Sequence, residues 1–349
     1  MQFSEVKSWT KKQAYRRRYL LMVIAVVIVA AGIIGGVLAK QHSGNTAQNA
    51  TSSDSASSSE NNSTTSASAV IGSGSQSVIS STSATVTSSV SVATSTNSPS
   101  IGKKGYSYTG TYAELNTLDA HWFYNWASTQ TAVNPDSALP FVPMIWGPGS
   151  ITTSVISSLT ISGTAGVNDV LLGFNEPDSA TQANTTPEQA IALWPQFIST
   201  GRRLGSPAVA QNASLSGSDS WLAQFMSLAK TNNYRVDFIT LHYYPEPGYA
   251  SALLQLVDEV YALYDLPIWL TEFCPADWSA SASNPTKFTA ADSLAFMTEV
   301  IPALYQRSYV ERFAWFSYAI TDPQLGFSSL FNSDGTLTSL GTLYQSYQN

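Results

Sequence analysis

From Lys103 to the end of the chain, short apolar and aromatic runs alternate with longer stretches whose apolar positions recur at helical spacing. This is the pattern of repeated β/α units, in which buried strands feed amphipathic helices. The runs are "KKGYSY" from Lys103, "HWFYNW" from His121, "FVPMIWG" from Phe141, "VLLGFNEP" from Val170, "LGSPAVA" from Leu204, "FITLHYY" from Phe238, "IWLTEF" from Ile268 and "FAWFSY" from Phe313. They number eight, and residues 103–349 amount to 247, close to the roughly 250 typical of one (β/α)8 barrel. The expected fold is therefore α/β, a (β/α)8 TIM barrel over residues 103–349. Between the runs lie helix signals such as Thr186 as an N-cap, with Pro187 at the first helical position and Glu188 close behind, and a second helix beginning at Thr289. Two strands are weakly marked: "KKGYSY" is short, and Pro207 in "LGSPAVA" has no N–H to give a ladder.

Upstream the pattern changes twice. Tyr19 to Ala39 is an uncharged apolar run of the length that spans a bilayer. Lys7, Lys11, Lys12, Arg16, Arg17 and Arg18 precede it, and only Lys40 follows closely. This bias predicts a cytosolic basic tail (1–18), a transmembrane signal anchor (19–39) and everything beyond outside the cell. A signal peptide cleaved after Val37-Leu38-Ala39 is the alternative, although an apolar region of this length exceeds the usual signal. Residues 43–100 are almost wholly Ser, Thr, Ala, Val, Asn and Gly, with no Lys, Arg or aromatic residue. Such a composition buries too little apolar surface to offset chain entropy, so 40–102 is expected to be a disordered Ser/Thr-rich stalk suited to O-glycans. The expected location is the plasma membrane as a single-pass type II protein with the barrel facing the cell wall, or secretion if the signal is cleaved.

Charge narrows the partners. Residues 103–349 carry nine bases and 20 acids, a net −11, which disfavours a nucleic-acid ligand. An acidic, aromatic-rich domain suits a neutral polyhydroxylated substrate. Cys274 is the single cysteine, so no intrachain disulfide can form. With three His in the chain, no H-x-x-x-H spacing and a lone Cys, metal ligation is not expected, and no cofactor is. The chain has no G-x-S-x-G elbow, P-loop or dinucleotide fingerprint. Sequons open at Asn49, Asn61, Asn62, Asn184 and Asn212, a weak signal in Ser/Thr-rich sequence.

In a parallel barrel, chemistry collects where strands feed helices. Glu176 ends the fourth run and Glu272 the seventh, with Asn125, Trp126, Trp146, His242, Tyr244, Trp315 and Ser317 at comparable ends. Two carboxylates in an aromatic-lined mouth can break a glycosidic bond, one as general acid and the other as nucleophile or general base. The jobs need different proton affinities, and the charge of one neighbour raises the pKa of the other. The rival reading is that each Glu merely caps a helix N-terminus or bridges to a base, although nearby bases are sparse. Asp178 fits a turn cap better than a catalyst.

"WFYNW", "FVPMIWG", "LLGFNEPD", "LGSPAV", "WLTEF" and "FAWF", in this order, resemble glycoside hydrolase family 128, the fungal alkali-sensitive-linkage type. The resemblance covers about residues 103–349. It implies a (β/α)8 barrel that hydrolyses β-1,3-glucan with retention, with Glu176 as acid/base and Glu272 as nucleophile. The family pattern has His-Trp-Tyr where this chain has His242-Tyr243-Tyr244, and Ala where it has Cys274, which bears on subsite shape. Asn175 can donate to a sugar 2-hydroxyl, Tyr244 can donate to Glu272, and His242 can touch substrate. Trp315, Trp146 and Trp126 can offer flat faces to sugar rings, Trp315 foremost. The expected protein is a monomeric endo-β-1,3-glucanase. Its rivals are a non-catalytic glucan-binding or wall-sensing protein, and a transglycosylase that uses the same two carboxylates.

Overall fold

The computed structural model describes residues 102–107, 112–130, 139–166, 168–210, 217 and 219–348. The expected tail, anchor and stalk therefore lie outside the described residues, except for Gly102 at the stalk's end. Among the described residues, no helix is long and apolar enough to cross a membrane.

Seven strands are formed among the described residues: β1 (Lys104–Ser107), β2 (Trp122–Tyr124), β3 (Val170–Leu171), β4 (Arg203–Leu204), β5 (Ile239–Tyr243), β6 (Ile268–Phe273) and β7 (Val310–Phe316). All pair in parallel, in one sheet of order β2-β1-β7-β6-β5 and a second of β3-β4. Isolated parallel bridges join the two: Phe123 to Phe141, Met144 to Leu172, and Gly205 to Phe238. The pairings thus pass through all eight sequence runs and return to β2. The run at Phe141 makes bridges but no strand, because Pro140 and Pro143 lack the N–H that a ladder needs; their carbonyls still accept from Phe123 and Leu172. Pro207 shortens β4 for the same reason. Runs four and seven of the sequence are β3 and β6.

The helices among the described residues are α1 (Tyr112–Thr117), α2 (Thr153–Leu159), α3 (Pro187–Ile198), α4 (Trp221–Thr231), α5 (Ala250–Tyr264), α6 (Ala290–Gln306) and α7 (Ser339–Ser346). Thr186 caps α3, and Gln189 rather than Glu188 closes its capping box. At α6 the corresponding pair is Thr289 and Asp292.

Strand alternation divides the core in two. One set of side chains, among them Trp122, Tyr124, Met144, Leu172, Phe238, Trp269 and Ala314, packs as an inner cluster. The other set, including Leu241, Leu270, Phe313 and Trp315, joins helix residues such as Leu253, Val257, Phe296 and Leu304 in the outer core. Gly105 has to be small, since a Cβ there would fall 2.2 Å from the Trp122 indole. Gly173, three residues before Glu176, lets β3 approach the neighbouring backbone, with a Cβ meeting Pro207 N at 2.7 Å.

Candidate active site

The loop after β3 holds Glu176 in an uncommon conformation, at φ +44. A non-glycine residue pays strain there, and the conformation persists because the surroundings over-determine it. The Asn175 N–H donates to Trp146 O at 2.9 Å and the Glu176 N–H to Ala208 O at 2.7 Å, so both flanking loops grip the chain. Asp178 turns away to accept from the Ala210 N–H at 2.8 Å. Its carboxylate ties these loops together, in keeping with a structural role.

Glu272 sits on β6 between Thr271 and Phe273. The register of β6 against β7 shifts between Leu270 and Phe273, an irregularity of the kind that re-aims a side chain. The Glu272 carboxylate is surrounded by donors. Oε1 accepts from the Tyr124 hydroxyl at 2.9 Å and the Trp126 indole N–H at 2.7 Å, and Oε2 accepts from the Tyr244 hydroxyl at 2.5 Å.

His242, fully inside the protein, stands between the two carboxylates. Its Nδ1 is 3.1 Å from Glu176 Oε1. Its Nε2 is 3.3 Å from Glu272 Oε1, near enough for charge attraction but without the alignment of a hydrogen bond. One donor atom from each of Glu176, His242 and Glu272 falls within 4.8 Å of the other two. Two carboxylates and an imidazole could also hold a cation. Binding one through Glu272 would mean displacing hydroxyl or indole donors, so this set is better matched to an anionic carboxylate than to a metal ion.

Burial pushes the Glu176 carboxyl above the usual carboxylate range; the hydrogen bond and charge of His242 oppose this, while the Glu272 and Asp178 charges add to it. His242 is raised despite a burial that on its own would lower it, through the Glu272 charge and its bond to Glu176. Burial, reinforced by the Glu272 charge, holds Tyr124 and Tyr244 far above the ordinary phenol value. Both therefore remain protonated donors.

The other expected residues are placed as follows. The Asn175 amide N–H donates to Gln182 Oε1 at 3.3 Å, leaving its Oδ1 buried without a partner among the described residues. It thus presents an acceptor beside the second amide N–H, which is still able to donate to a sugar as expected. Asn125 is half-buried, and its Oδ1 accepts from the Ala127 N–H at 3.1 Å within its own loop. Trp146 is partly exposed against the inner cluster. Trp126 spends its indole N–H on Glu272, and its ring meets Phe316 edge-on at 6.0 Å. Trp315 is corrected: it is 0% exposed, bonded through its indole N–H to Ser328 O, and packed against Phe296 of α6 and Tyr344 of α7. Ala314 takes the inner position on β7, so alternation sends Trp315 outward to the helices, where no sugar ring can stack on it. Sequence reasoning also missed Tyr124. The signal was available, since Tyr124 shares the inner parity of Trp122.

Paired carboxylates at the ends of parallel strands, one loaded with donors and one pushed toward its acid form, mark the class as glycosidase. The sequence model of the glycosyl hydrolase catalytic core matches residues 105–344, and the chain belongs to this family, within glycoside hydrolase family 128. Alkali-sensitive linkage protein 1 of Schizosaccharomyces pombe is 30% identical over 234 residues, 64% of this chain and 40% of that protein. The chain thus matches about two-fifths of the length of that curated relative. Among solved structures, a family 128 subgroup I endo-β-1,3-glucanase from Amycolatopsis mediterranei, in complex with laminarihexaose, is 37% identical with a TM-score of 0.61, covering 70% of this chain and 99% of that one. A subgroup II endo-β-1,3-glucanase from Sorangium cellulosum is 28% identical with a TM-score of 0.57, covering 71% and 99%.

Proposed function

We propose that the protein is a retaining endo-β-1,3-glucanase whose eight parallel runs form a (β/α)8 barrel, with Glu176 as acid/base and Glu272 as nucleophile. The observation that carries this reading is the pairing itself: side-chain oxygens of the two Glu residues come within 4.8 Å. Retaining enzymes hold their carboxyl groups about 5–5.5 Å apart, and inverting enzymes about 6.5–9.5 Å, to leave room for a water. The known relatives' substrate, a β-1,3-linked glucan, suits the acidic, aromatic mouth.

In the first step Glu272 attacks the anomeric carbon while Glu176 gives its proton to the departing glycosidic oxygen. In the second, Glu176, now ionised, takes a proton from water, which displaces Glu272 from the sugar. Burial raises the Glu176 pKa and so favours the protonated form that the first step needs. His242, 3.1 Å away, is placed to stabilise the carboxylate once that proton has left. The unpartnered Asn175 Oδ1 accepts from a sugar hydroxyl. We further propose that residues 19–39 anchor the chain in the plasma membrane, with 40–102 as a stalk that presents a monomeric barrel to wall glucan.

The test is to incubate the full chain with β-1,3-glucan and follow reducing ends, product lengths and the first-formed anomer by NMR. Internal cuts releasing the β-anomer are expected. Release of the α-anomer would overturn retention, and correctly folded protein that creates no reducing ends would favour a glucan-binding role. Elongated products at high oligosaccharide concentration would mark transglycosylation through the same pair.

A further inference from the structure

We infer that Trp126 is a positioning residue which, with Tyr124, immobilises one oxygen of Glu272 and so selects the other, Oε2, as the atom that attacks the sugar. The inference rests on the nucleophile role proposed above and goes beyond it to the single atom. A carboxylate oxygen offers two in-plane lone pairs. On Oε1 both are taken, by the Tyr124 hydroxyl at 2.9 Å and the Trp126 indole N–H at 2.7 Å, with His242 Nε2 a further 3.3 Å neighbour. Among the described residues Oε2 accepts only from Tyr244, which leaves it a lone pair for the sugar.

The backbone shows that this contact is built in. Trp126 stands at φ +59, a region that a bulky residue rarely adopts, and Glu176 is the other expected site residue with positive φ. Tyr124 and Phe316 hold the indole on two sides, with ring centroids 5.2 and 6.0 Å away. Tyr124 is itself held in place, its one hydroxyl hydrogen lying between Glu272 Oε1 and, more distantly, Thr271 O at 3.2 Å. A carboxylate fixed through Oε1 pivots little, so Oε2 approaches along one direction. In the step, a lone pair on Oε2 forms the bond to the anomeric carbon, the bond to the leaving oxygen breaks, and the Glu176 proton moves to that oxygen. Oε1 becomes the ester carbonyl and keeps its two donors.

Trp126→Phe keeps an aromatic face and removes only the N–H. The expected result is a kcat lower by about 10- to 100-fold, the range for a hydrogen bond to a charged group, with KM for laminari-oligosaccharides within about twofold. If that variant does not fold, benzothienylalanine at position 126, which keeps the shape and replaces N–H by sulfur, gives the same readout. An unchanged kcat, with KM rising only when Trp126→Leu removes the face, would overturn the inference in favour of a sugar platform. A glycosyl-enzyme trapped with a 2-fluoro glucosyl donor should carry its ester on Oε2; an ester on Oε1 would likewise overturn it. Glu272→Ala, assayed alongside, separates the failures: activity in that variant sinks the nucleophile assignment, whereas an inactive Glu272→Ala beside a fully active Trp126→Phe sinks this inference alone.

Discussion

The two carboxylates stand on opposite kinds of ground. Glu272 lies within a six-residue strand paired on both sides, one residue from its end, and three hydroxyl or indole donors meet its oxygens. Glu176 follows a strand of two residues, at a left-handed bend, with one imidazole as its side-chain partner. The first arrangement suits a negative charge and fixes its direction; the second favours a proton and, in the proposed mechanism, has a partner ready when the proton departs. Both groups are buried, so the proposed division of labour between chemically identical carboxylates rests on the donors and charges around each.

The strongest way to break the comparison is to remove each carboxylate. Glu272→Ala removes the proposed nucleophile and is expected to cost at least about 10⁴-fold in kcat on every substrate, as nucleophile deletions do. Glu176→Gln should cost roughly 10²–10⁴-fold on glucan but little on an aryl glycoside whose leaving group departs unprotonated. Equal sensitivity of both variants to the leaving group, in steady-state assays, would show that the roles are not divided this way. A step smaller, Tyr244→Phe strips the donor from Oε2, and a loss of about 10- to 100-fold in kcat/KM is expected. No loss would mean that the 2.5 Å contact contributes nothing to the transition state.

The same contrast explains what could be read from the sequence. Apolar runs were enough to locate Glu176 and Glu272, because a buried strand followed by charge is conspicuous. The short side of the ring was harder, since Pro140, Pro143 and Pro207 leave runs that bridge without forming regular ladders. Facing was the weak point. Trp315 and Tyr124 both lie near strand ends, yet parity places Tyr124 on Glu272 and Trp315 among the helices. Period-two alternation anchored on Ala314 and Trp122 separates them, whereas position along the run does not. The Trp126 contact lay beyond any such rule, because it depends on a positive φ.

The smallest expected effect is also the most specific to the Glu176 side. In its proposed role as general acid, Glu176 works only while protonated, so kcat/KM should fall as pH rises through its pKa. Burial raises that pKa above the usual carboxylate range, and the His242 hydrogen bond and charge pull it partly back. His242→Gln removes the charge. The lowering influence is lost while burial, Glu272 and Asp178 still push upward, so the alkaline limb should move to higher pH. The maximal rate should fall as well, because the carboxylate left after proton transfer loses its cationic neighbour. A pH–rate profile of His242→Gln beside the wild type decides the sign: a limb displaced to lower pH would overturn this coupling, and loss of the limb would mean that His242, and not Glu176, sets it.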